Sequence, residues 1–142
     1  MKQVGYSGKE LLDKLGYKPG QSVCMINQPG WFRGLLRSGD VIPAQILPAH
    51  WVHGFFSSKT EFESFLDSVD FDGIKVGLWV SWPKKSSKVQ TDVTEQTFRD
   101  LILPLGWVDI KVAAIDETWS GLKLPAAEKV RLPRNLYRSI KV

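Results

Sequence analysis

A near-continuous apolar run, Ile74-Lys75-Val76-Gly77-Leu78-Trp79-Val80-Ser81-Trp82, stops at Pro83 and is followed by Lys84-Lys85-Ser86-Ser87. A strand of this composition has no polar face to offer water, so it belongs inside a parallel sheet covered on both sides. Proline cannot donate to a ladder and marks the strand's end. The loop that follows leaves the carboxyl end of the strand. In open α/β sheets ligands collect along that edge, which makes residues 82–87 the first place to look for function.

The rest of the chain alternates around this strand. Ser7-Gly8-Lys9-Glu10 and Ser58-Lys59-Thr60-Glu61 fit the capping box, and Asp92-Val93-Thr94-Glu95 is its aspartate version. Behind these signals, Leu11, Leu12 and Leu15, then Phe62, Phe65, Leu66 and Val69, then Phe98, Leu101, Ile102 and Leu105 recur at the spacing of one buried helical stripe. Gly16 is placed to end the first helix. A further helix is predicted over 29–37, with Pro29 in its first turn and Gly39 beyond its end. Short apolar runs at 22–26, 51–56, 74–82 and 107–115 separate the helices and read as strands. Residues 40–50 contain Pro43 and Pro48 and are either a loop or an edge strand. Residues 108–115 and 120–124 leave no room for a helix between them, so their pairing is antiparallel.

These elements predict one three-layer, Rossmann-like α/β domain over 1–128, with a mostly parallel sheet and an antiparallel closing strand. A chain of 142 residues, 43% hydrophobic, can bury one real core. Nineteen basic residues stand against fifteen acidic, but Lys129, Arg131, Arg134, Arg138 and Lys141 lie in the last fourteen residues, which carry no acid. The preceding 128 residues hold fourteen basic and fifteen acidic groups, a net −1, so the basic character belongs to a tail at 129–142. A basic body that would point to nucleic acid is therefore absent. That tail is expected to be dispensable for folding and available to a protein or nucleic-acid partner. No stretch resembles a signal peptide or reaches bilayer length, giving the expectation of a cytoplasmic protein away from membranes.

Several constellations of residues bear on chemistry. If the sheet is parallel, the loops at 27–30, 57–58, 82–87 and 116–119 share one rim. Trp82 and Trp119 would offer flat apolar faces there, Lys84 and Lys85 cations, Ser86 a hydroxyl, and Asp92 and Glu117 carboxylates. Such a mixture suits a small anionic ligand with a planar ring. The structural alternative makes Asp92 the cap of its own helix, the tryptophans covers for the sheet edge, and the lysines a solvated loop. His50 and His53, three apart on a strand, face opposite ways and do not make a shared metal site. Cys24 reads as a small buried hydrophobe rather than a nucleophile, and no Gly-x-Ser-x-Gly elbow occurs. No catalytic residue, cofactor or metal is assigned.

Gly5-Tyr6-Ser7-Gly8 with Leu15-Gly16, Lys18-Pro19-Gly20, Trp82-Pro83-Lys84-Lys85-Ser86 with Thr91-Asp92, and Asp116-Glu117-Thr118-Trp119-Ser120-Gly121-Leu122-Lys123 together resemble a bacterial family known only as domain of unknown function 3052, over residues 5–124. That resemblance implies a fold and a compartment, not a reaction. The element order also resembles a shortened methyltransferase-type Rossmann sheet, which keeps a divergent transferase as the enzyme alternative. The chain departs from that pattern at Asn27-Gln28-Pro29-Gly30-Trp31-Phe32, where a glycine-rich turn would hold the methyl donor, and at 41–47, where no acid ends the second strand. The leading expectation is a non-catalytic module binding at the carboxyl-end rim.

Overall fold

The computed structural model describes residues 8–107 and 111–126. In chain order the elements are α1 (Gly8–Leu15), β1 (Ser22–Ile26), α2 (Phe32–Ser38), β2 (Ile42–Ala44), β3 (Ala49–Phe55), α3 (Lys59–Ser68), β4 (Ile74–Pro83), α4 (Glu95–Ile102), β5 (Lys111–Ala114) and β6 (Trp119–Pro125). The strands form one mixed sheet in the order β2-β1-β3-β4-β6-β5. β2, β1, β3 and β4 are parallel. β6 runs antiparallel to both of its neighbours, so the parallel character expected for most of the sheet ends at β4. The 129–142 tail, the Ser7 cap and positions 108–110 of the predicted 107–115 strand lie outside the described residues, and Trp107 is buried ahead of β5 rather than within a strand.

Helices cover both faces. On one, α1 and α2 press Leu11, Leu12, Leu15, Phe32, Leu35 and Leu36 onto Trp51, Phe55 and Trp79. On the other, α3 and α4 press Phe62, Phe65, Leu66, Phe98 and Ile102 onto Val52, Leu78, Val80 and Trp82. β3 and β4 feed alternate residues into the two cores. That is why β4 reads as a solid apolar run: it has no wet face.

Local chemistry explains where the elements stop. Gly16 sits at φ 86, the left-handed position that ends α1 at little cost. Pro104 lacks the N–H that would continue α4, and residues Leu103–Leu105 tighten into a 3-10 turn. The predicted helical stripe to Leu105 is therefore cut short at Ile102, although Leu105 still reaches the core. Val69 likewise lies just past α3 in extended conformation and packs against the core from there. Within the 40–50 segment only Ile42–Ala44 form the edge strand β2, where Pro43 is tolerated at the sheet margin, and Ala49 and His50 already begin β3.

Candidate functional site

The sheet reverses its order at β1 and β3: α2 carries the chain from β1 to β2 on one side, and β3 then enters on the other. The crevice outside the carboxyl ends of such a strand pair is where ligands enter α/β sheets. Here it is bordered by the turn after β1, which starts at Asn27 in the left-handed region (φ 55), and by Ser57 and Ser58 after β3. Half-buried Trp31, from the first of these, stands edge-on to Phe55 with ring centroids 6.5 Å apart. Half-buried Trp119, at the start of β6, does the same from the far side at 5.1 Å. The two indoles bracket Phe55.

The two sequence motifs singled out above do meet. Pro83 pairs with Trp119 across β4 and β6, and the Lys84 amide donates to the Thr118 carbonyl at 2.7 Å. The Lys84 ammonium donates to the Asp116 carbonyl. Asp116 in turn accepts from the amides of Thr118 (2.8 Å) and Trp119 (2.7 Å), so its carboxylate organises the turn. Glu117, beside it, is exposed. Lys85 and Ser86 are exposed in a short 3-10 turn, leaving their polar groups in solvent at the rim.

Two expected site residues take other roles. Trp82 is 6% exposed, and its ring lies 5.0 Å from that of Phe98 in the core under α3 and α4. Trp119 packs on the opposite side of the sheet, because the two tryptophans come from successive register positions. They cannot share a ligand between them. Asp92 does not cap its own helix. Thr94 does, in a reciprocal box with Thr97, while Asp92 accepts from the Lys59 amide at 2.8 Å and so closes the first turn of α3. Thr91 ties the same loop to the Ser57 carbonyl at 2.6 Å. Asp92 is thus at the rim, but its carboxylate is engaged.

Sequence reasoning missed Trp31. It was visible only as bulk in a turn where glycine was expected, and its position over Phe55 depends on how α2 packs.

Beneath this rim lies a polar chain inside the core. His53 is fully buried; its Nδ1 is 2.7 Å from the Tyr17 hydroxyl and its Nε2 is 2.8 Å from Ser81 Oγ. A neutral imidazole has one donor and one acceptor, and two hydroxyls that can play either part satisfy both. Burial pushes His53 down to about 3 and the Tyr17 hydroxyl well above its usual range. The neutral ring stacks on Phe55 at 4.4 Å. His50, facing the other way, receives the Ser22 amide at Nδ1. Cys24 is buried in β1, with its thiol pushed up by burial. Among the described residues no group of three or more His, Cys, Asp or Glu is placed to hold a metal, and no helix is long and apolar enough to cross a membrane.

No family model and no curated protein matches the chain. Among solved structures, one neighbour is described as a possible exported protein from Bordetella parapertussis, at 9% identity and a TM-score of 0.45 over 83% of this chain. The chain spans 65% of that protein's length. Another is a 16S rRNA adenine N1-methyltransferase from Catenulisporales acidiphilia with its cosubstrate SAM, at 13% identity and a TM-score of 0.38, over 88% of this chain and 93% of the other.

Proposed function

We propose that this chain is a Rossmann-like binding module, without catalysis of its own, that takes a small anionic ligand with a flat ring at the carboxyl-end rim. The observation that carries this reading is the bracketing of Phe55 by Trp31 and Trp119 at the point where the sheet order reverses, with the Lys84-Lys85 turn fastened to the same loop as Trp119. Half-buried indoles supply ring faces, and the exposed Lys85 and Ser86 supply donors for an anion. Among the described residues nothing at the rim pairs a nucleophile with a base: Lys84 is held on a carbonyl, Asp92 on an amide and Asp116 on its own turn. The Tyr17-His53-Ser81 chain is sealed in the core, where no substrate reaches it.

A thermal-shift panel of nucleotides, S-adenosyl compounds and acyl phosphates tests the reading, since a ligand of the native state stabilises it by mass action. At least one planar anion should raise the melting temperature. Trp119→Ala and Lys85→Ala should each abolish that rise. Lys85→Ala should do so at unchanged intrinsic stability, whereas Trp119→Ala also removes a packed ring. A panel without a stabilising member, or a rise indifferent to both substitutions, would sink the proposal.

The strand order supports the comparison with a shortened methyltransferase-type sheet, so transferase chemistry is the second reading. Against it stands the β1 turn, where Trp31 lies against Phe32 and Phe55 in place of a bare glycine loop.

A further inference from the structure

At the amino-terminal half of the sheet, away from the rim, three lysines gather around one tryptophan. Lys111 and Lys123 stand directly opposite each other on the antiparallel pair β5 and β6. The Lys123 ammonium lies over the Trp51 ring, 5.3 Å from its centroid. Gly16 lies beside them: a Cβ there would make only ordinary contact, 3.4 Å from Lys123 Nζ and 3.5 Å from the Trp51 ring. The backbone of Lys18 is tied to the same indole, because Gln21 Oε1 accepts from both the Lys18 amide (3.1 Å) and Trp51 Nε1 (2.9 Å).

Among the described residues no carboxylate is paired with these charges. None of the three lysines forms an ion pair among the described residues. Like charges directly opposite on paired strands are destabilising, and this pair adds a third cation in a body whose own net charge is near zero. Partial burial and the nearby Lys111 and Lys18 push Lys123 below the usual lysine range. A lysine on an outer strand can serve to discourage edge pairing, which would account for Lys111 on β5. It does not account for Lys18 or for Lys123, which is on an inner strand.

We propose that Lys18, Lys111 and Lys123 form a binding site for a small phosphate-class oxyanion. Three flexible ammonium groups suit a multivalent tetrahedral anion, which each approaches as a point charge with several donors. Trp51, only 3% exposed, cannot stack on a ligand ring. The site therefore reads charge alone, unlike the rim, and it stands independently of the rim proposal.

Pyrophosphate is the probe, titrated against protein with the tryptophan indole N–H signals followed by NMR, and with sodium chloride matched in ionic strength as the control. The Trp51 signal should shift saturably with pyrophosphate and not with chloride. In the double variant Lys18→Gln/Lys111→Gln, whose two sites are exposed, apparent affinity should fall at least about tenfold, the scale of one lost charged hydrogen bond. The anion-free double variant should melt no lower than the parent chain, because it loses only repulsion. An unmoved Trp51 signal, a shift that survives in the double variant, or shifts confined to Trp31 and Trp119 would each overturn the site.

Discussion

His53 shows how much one buried residue can set. Its folded-state pKa is lowered from 6.5 to about 3 by burial, so the native state refuses a proton that the unfolded chain accepts below 6.5. Stability contributed this way is complete above pH 6.5 and is lost as pH falls toward 3. The loss approaches roughly 1.4 kcal/mol per pH unit and totals about 4 kcal/mol across that window. Urea unfolding of the parent chain and of His53→Gln across pH 3–7 isolates the effect, since other groups titrate in both. The parent's stability should fall more steeply by that amount; parallel pH profiles would contradict the burial argument. Ser81→Ala tests the partner, and should cost about 1–3 kcal/mol by leaving Nε2 without its hydroxyl.

Two elements earn predictions because their contacts differ from those the sequence suggested. Trp82 closes the core between β4 and α4, so Trp82→Ala should cost about 3–5 kcal/mol, seen as a lowered denaturation midpoint. An unchanged midpoint together with lost ligand binding would return Trp82 to the rim. Asp92 and Thr94 divide the work of two helix starts. Asp92→Ala should lower stability by about 1 kcal/mol through α3, and Thr94→Ala by a similar amount through α4. Hydrogen exchange separates them: amide protection in the first turn of α3 should drop only for Asp92→Ala, that of α4 only for Thr94→Ala.

For the whole molecule, the sheet order reverses between β1 and β3, and the turn after β1 carries Trp31 edge-on to Phe55 where a bare glycine loop would hold a methyl donor. S-adenosylmethionine should therefore fail to bind with useful affinity, as calorimetry can read. Saturable binding at or below about 10 μM, near −7 kcal/mol, would revive the transferase reading.

Much of the architecture followed from local chemistry alone. Alternating helical stripes and apolar runs predicted the order of elements, because period and burial face are written in neighbouring residues. Ser58 at the start of α3 and Gly16 and Gly39 at the ends of α1 and α2 were legible for the same reason, and the missing room for a helix before β6 predicted its antiparallel pairing. What local chemistry could not decide was which face of the sheet each rim side chain takes and which amide each carboxylate serves. Trp82 and Trp119 look alike in sequence, yet register puts one in each core. Asp92 sits in a cap motif for α4 and closes α3 instead, since the Thr91 tie to Ser57 brings a distant helix within its reach. The lysine cluster around Trp51 joins positions 18, 111 and 123, which no sequence window spans. Those pairings depend on strand order and register, and only the folded chain fixes both.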